Sequence, residues 1–169
     1  MFRWVDALLL TLAVVAAAPA HAGPFEDGMD AYYQNDFAKA LRLWAPLAED
    51  GNANAQNNLG AMYENGQGIA ADMKEAARWY RRAAEQAHTD AQMNLGRLYM
   101  TGQGVVEDPI RAHMWLSIST ERSMGGMLWG GLDALAARDA IAAKLSPEQL
   151  TLARAMARRC LESNYWECR

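Results

Sequence analysis

Two consecutive segments decide the fold: ANAQNNLGAMYENGQGIAADMKEAARWYRRAAEQAH at residues 53–88 and TDAQMNLGRLYMTGQGVVEDPIRAHMWLSISTERSM at residues 89–124. They are one sequence written twice. At an offset of 36, Ala55-Gln56 falls on Ala91-Gln92, Asn58-Leu59-Gly60 on Asn94-Leu95-Gly96, and Tyr63 on Tyr99. Gly66-Gln67-Gly68 then falls on Gly102-Gln103-Gly104, Asp72 on Asp108, Ala76 on Ala112, Trp79 on Trp115 and Glu85 on Glu121. A fixed, ungapped period of this length marks a repeat array, in which each unit buries its apolar face only against its neighbours.

Each unit reads as two helices. Helix A of the first spans 53–65, with Ala55, Leu59 and Tyr63 every four residues and Gly60 expected to admit a neighbouring backbone. Gly66-Gln67-Gly68 ends it: the first glycine suits a left-handed cap and the second a sharp return. Asp72 is placed to cap helix B, and Glu75, three residues on, to close a capping box. Helix B, 73–86, carries Ala76, Trp79, Tyr80 and Ala83 on its inward row. In the second unit Asp108-Pro109 makes the same start, with proline at the first helical position. The repeats end differently: Gly51 precedes the first unit, whereas Ala87 and Ser123 stand at the later junctions. Neither favours a left-handed cap, so less sharply defined helix ends are expected there.

Residues 23–52 read as a shortened first repeat that caps the array, with Phe37, Ala40, Leu41, Trp44 and Leu47 at helical spacing and a kink or early end expected at Pro46. Residues 124–131 form a glycine-rich break. Beyond it an alanine-rich helix is expected at 132–144, then a helix at 147–163 started by a Ser146–Gln149 capping box. Residues 125–169 are thus expected to cover the other end. No strand pattern occurs, and the class is all-α.

Residues 1–22 carry Arg3, an apolar run over 7–18 and an Ala20-His21-Ala22 cleavage pattern, the layout of a secretory leader removed after Ala22. The apolar run is too short to span a bilayer, which takes about 20 residues. A periplasmic or secreted location follows as the expectation, with no stable membrane insertion after cleavage. Losing Arg3 and Asp6 leaves the formal net charge at −4. That balance argues against nucleic acid, which needs a dense basic face to displace counterions.

Cys160 and Cys168 are the only cysteines, and in an oxidising compartment they are expected to pair. Along a continuous helix they would lie ~12 Å apart, whereas a disulfide needs Cα atoms within about 7 Å. The last helix must therefore end near Ser163-Asn164 and Tyr165-Trp166 fold back. Closing that loop is worth about 2.5 kcal/mol on the chain-entropy estimate. No C-x-x-C is present, so the bridge reads as a structural clip.

The repeated residues resemble the Sel1-like repeat family, relatives of the tetratricopeptide repeats. The first copy meets the family pattern at Ala55, Leu59, Gly60, Tyr63, Gly66, Gly68, Asp72, Ala76, Trp79 and Tyr80. The second meets it at Ala91, Leu95, Gly96, Tyr99, Gly102, Gly104, Val105, Asp108, Ala112 and Trp115. Leu116 replaces the second aromatic, and Ile69 the valine of the first copy. The resemblance implies a right-handed α-solenoid whose helix A row lines a concave surface where peptides dock. It implies a non-catalytic adaptor, or a structural part of an envelope motor or secretion assembly. Some cysteine-rich secreted members have been credited with β-lactam hydrolysis, but this chain lacks that branch's cysteine in every repeat.

Candidate chemistry is sparse. Past the leader the histidines are His88 and His113, and neither stands at a ligand or nucleophile spacing. H-E-x-x-H, G-x-S-x-G and S-x-x-K are absent. Gly66-Gln67-Gly68 lacks the preceding strand and third glycine of a dinucleotide fingerprint. No enzyme activity, metal or cofactor is expected. The informative positions are those the two repeats do not share on helix A: Asn57/Met93, Ala61/Arg97, Glu64/Met100 and Asn65/Thr101, which lie on one face. The expected site for an envelope protein or peptide partner is therefore Asn57, Ala61, Glu64, Met93, Arg97 and Met100, with Tyr32 or Tyr33. Exposed methionines and an arginine would suit an adaptable peptide surface.

Overall fold

The computed structural model describes residues 23–123 and 130–168; the expected leader and most of the glycine-rich break lie outside the described residues. Among the described residues there are eight helices and no strand. They are α1 (Pro24–Tyr33), α2 (Phe37–Glu49), α3 (Ala53–Asn65), α4 (Met73–Ala84), α5 (Thr89–Thr101), α6 (Pro109–Ser123), α7 (Gly130–Ala142) and α8 (Pro147–Glu162). From α1 to α7 each helix packs on the next, as a solenoid of helical hairpins requires. The last pair departs from this: α7 and α8 both lie against α6 and scarcely touch each other.

Local chemistry sets the helix starts. Asp36 accepts from the Lys39 amide, Asn52 from Ala55, Asp108 from Arg111, and Ser146 and Gln149 close a full capping box. Asp72 caps α4 by accepting from the Lys74 and Glu75 amides. The Glu75 carboxylate does not reach back as expected. It turns to Arg78 at 2.6 Å, so that box is half closed. Gly66 and Gly102 take the left-handed caps of α3 and α5. Pro46 does not end its helix, because α2 runs on for one more turn to Glu49.

Two further expectations are corrected. Gly60 faces a side chain, not a backbone: a Cβ there would lie 2.7 Å from the Tyr80 ring. Ala87 adopts the left-handed conformation itself, with φ +66, matching Gly51 at φ +99 one repeat earlier. The amide that follows it closes on Ala83 O at 3.1 Å, so the turn geometry is kept despite the methyl group. Alanine in this region costs roughly 1 kcal/mol relative to glycine. Ala87→Gly should therefore raise the denaturation free energy by about that amount, read from the urea midpoint at unchanged m.

The repeated glutamines tie one hairpin to the next. Gln56 donates to Ala48 O at 2.9 Å and Gln92 to Ala84 O at 3.1 Å, both buried, each satisfying a carbonyl at the end of the preceding helix. The core falls into two clusters. One gathers Trp44, Leu59, Met62 and Trp79. The other runs from Tyr80 through Leu95, Leu98, Trp115 and Ile118 to Ala157 and the Cys160–Cys168 disulfide. The bridge spans a Cα separation of 4.6 Å because α8 stops at Glu162 and Asn164 and Tyr165 take positive φ. The Tyr165 amide then reaches back to Cys160 O at 2.8 Å.

Candidate functional site

The helix A row of α1, α3 and α5 brings most of the expected residues onto one surface, joined across hairpins by polar contacts. Tyr32 donates its hydroxyl to Gln67 Oε1 at 2.9 Å, and Asn94 donates to Asn57 Oδ1 at 3.4 Å. Glu64 is the centre. It accepts from the Tyr80 hydroxyl at 2.8 Å and pairs with Arg97 at 2.5 Å. Its side chain is 16% exposed and that of Arg97 41%, so this pair is half-wet and worth about 1 kcal/mol or less. Burial first, then the Glu64 charge and hydrogen bond, hold the Tyr80 hydroxyl far above the ordinary tyrosine range, so it stays a donor.

The expectation of exposed methionines is corrected here. Met93 and Met100 are half-buried and pack against the core, because the wide helix A row turns its flank towards the next hairpin. Ala61 is half-buried too. Tyr32 sits in an aromatic cluster with Phe37 and Trp44 at centroid distances of 5.3 and 5.6 Å. Tyr33 alone among the large apolar members is open, at 73% exposure. The accessible part of the site is thus Tyr33, the outer half of Arg97, and the Asn57 edge.

His88 has a structural use that its position in sequence did not disclose. It is the N-cap of α5, and its Nδ1 accepts from the Ala91 amide at 3.3 Å, where Asn52 does the same one repeat earlier. A protonated ring cannot accept there. Burial, against a smaller opposing pull from Asp90, holds His88 below the ordinary histidine range. Burial and the charges of Arg138 and Arg154 do the same to His113, opposed by Asp139. The unfolded chain therefore binds protons that the folded chain refuses, and stability present above about pH 6.5 should fall as the pH drops through and below that value. His88→Asn keeps the cap and should flatten part of that slope, measured as urea midpoints between pH 7.5 and 5.5.

Sequence reasoning missed a cleft away from that face. The cleft, of about 480 Å³, lies between α6, α7 and α8. It follows from the separation of the last two helices, which no pattern in the chain announces. No His, Cys, Asp or Glu cluster among the described residues is placed to hold a metal, and no described helix is long and apolar enough to cross a membrane.

No curated protein matches the chain. Among solved structures it is similar to a protective antigen of uropathogenic Escherichia coli displaying an SLR fold, with 28% identity and a TM-score of 0.76 over 84% of this chain and 31% of that one. It is also similar to a Sel1 repeat protein from Oxalobacter formigenes, with 29% identity and a TM-score of 0.56 over 59% of this chain and 41% of that one. The chain thus spans well under half the length of either. The Sel1 repeat model matches residues 53–88 and 89–123, the two segments that pack as α3–α4 and α5–α6. With the helical hairpins, the glycine caps and these matches in agreement, residues 53–123 are two Sel1 repeats within an all-helical α-solenoid.

Proposed function

We propose that this chain, after export, is a non-catalytic adaptor of the cell envelope that holds a protein or peptide partner on its helix A face, with residues 23–52 and 125–169 capping the two ends. Sel1 repeats commonly mediate protein–protein interaction. The observation that carries the reading is the divergence of one face between two otherwise matched repeats. Positions with an architectural duty recur, as Gln56 and Gln92 do at the same carbonyl. Positions 57, 61 and 64 do not recur at 93, 97 and 100. Polar contacts that join α1 to the loop after α3, and α3 to α5, support a preorganised surface, which lowers the ordering cost of binding. The disulfide accords with an oxidising compartment.

The test is crosslinking and capture from periplasm, comparing wild type with Tyr33→Ala/Arg97→Gln after circular dichroism shows both equally folded. These substitutions spare Met93 and Met100, which pack on the core. Loss of a specific protein in the variant is the expected result. Capture of the same proteins by both forms removes the site, and capture of nothing by wild type removes the adaptor reading.

A further inference from the structure

The cleft between α6, α7 and α8 has an electrical polarity along its length. Three residues of α6 at four-residue spacing, His113, Ser117 and Glu121, form one wall; Arg154, Arg158 and Glu162 of α8, at the same spacing, form another. The two rows run in the same direction. Arg154 is near enough to His113 to depress its proton affinity, while at the other end Arg122 of α6 donates to the Tyr165 hydroxyl, just past α8, at 3.2 Å. Arg154 therefore stands at the His113 end with Arg158 one turn further on, level with Ser117, and Glu121 and Glu162 stand together at the other end, near Arg122. Between them Arg138 pairs with Asp139 at 2.7 Å and donates to Thr120 Oγ1 at 3.4 Å. Among the described residues Arg154, Arg158, Glu121 and Glu162 form no ion pair within the chain. Ala142, Ala157 and Leu161 supply apolar lining, and the buried His113 ring lies 3.3 Å from Ser117 Oγ.

A ligand that answers both ends carries an anion and a cation at a fixed separation. Eight residues of helix put Arg154 and Glu162 ~12 Å apart along the axis, and Arg158 and Glu162 ~6 Å. A free amino acid is too short to bridge these ends. An extended chain advances about 3.3–3.6 Å per residue, so one of about three residues matches the gap, and about 480 Å³ is within the range of small-ligand sites. We propose that this cleft binds a short linear peptide with both termini free, its carboxylate at Arg154 and Arg158 and its ammonium at Glu121 and Glu162. The site is separate from the helix A face and does not depend on it.

Calorimetry with trialanine tests this. Trialanine should bind, while its C-terminal amide, its N-acetyl form and free alanine should each bind at least about tenfold more weakly, one lost charge-assisted contact being worth about that factor. Arg154→Gln/Arg158→Gln should abolish the difference between acid and amide but leave the penalty for acetylation. Glu121→Gln/Glu162→Gln should do the converse. All four side chains are exposed, so both variants should melt with wild type, which separates lost binding from lost folding. Equal binding of acid, amide and acetylated forms, or no binding of trialanine by folded wild type, overturns the proposal.

Discussion

Replacing Gly104 with alanine should destabilise the protein by roughly 3–5 kcal/mol and lower the melting temperature by about 10 °C. Gly104 has φ +71, and a Cβ there would lie 2.0 Å from Met73 O and 2.3 Å from Met73 C. Those are backbone atoms in the first turn of α4, so no side chain can rotate to make room. Strain at positive φ contributes about 1 kcal/mol; the rest is the forced separation of the loop from α4. Gly51→Ala is the control. Its φ is +99, but nothing lies within 4 Å of the added carbon, so only the backbone strain should register. Equal losses for the two variants, in thermal melts followed at 222 nm, would show that the loop contact carries no weight.

The same contact explains how far the repeat reaches. One period earlier Gly68 lies against Phe37, where a Cβ would meet Phe37 O at 2.8 Å, and Phe37 is the position equivalent to Met73. A second contact recurs three times: Gly28 beneath Trp44, Gly60 beneath Tyr80 and Gly96 beneath Leu116. Trp44, Tyr80 and Leu116 fall on the 36-residue ruler, but Gly28 is offset from Gly60 by 32. The first hairpin has a loop four residues shorter, so an ungapped comparison aligns its second helix and misplaces its first. The two full repeats, their glycine and aspartate caps and the disulfide turn could be read from sequence, since glycine, aspartate and spacing determine them locally.

The site was less accessible to that reasoning, and for a physical reason. Divergence between repeats marks Asn57, Ala61, Glu64, Met93, Arg97 and Met100 as one helix face, but periodicity does not say how much of that face the next hairpin covers. Met93 and Met100 are partly covered, and Glu64 is engaged by Tyr80 and Arg97. The end cleft depends on α7 and α8 failing to pair, which is a tertiary outcome. Its chemistry was nonetheless written in two rows, His113-Ser117-Glu121 and Arg154-Arg158-Glu162, each at four-residue spacing. His88 was hidden differently: it caps α5 through a ring nitrogen where its counterpart, Asn52, uses an amide oxygen.

Trp44→Ala should remove about 3–5 kcal/mol, and it should do so unevenly along the chain. The indole is 1% exposed, donates to Phe25 O at 3.1 Å, and stacks with Phe25 at a centroid distance of 6.0 Å. It fills the space that Gly28 leaves open, so no neighbour can collapse into the void without moving α1. Trp44 belongs to the cluster that also contains Leu59, Met62 and Trp79, whereas α5, α6 and α8 are held by the separate cluster around Leu95, Trp115 and the disulfide. In an array where each hairpin touches only its neighbours, stability is close to a sum of local terms, and a lesion at one end need not spread. Hydrogen exchange on Trp44→Ala should therefore show α1 and α2 losing protection while α5 and α6 keep theirs. Tyr32 and Tyr33 lie on α1, so partner binding on the helix A face would weaken with no change at Arg97. Uniform loss of protection over all eight helices would mean that the two clusters unfold as one, and that the caps are integral to a single cooperative unit.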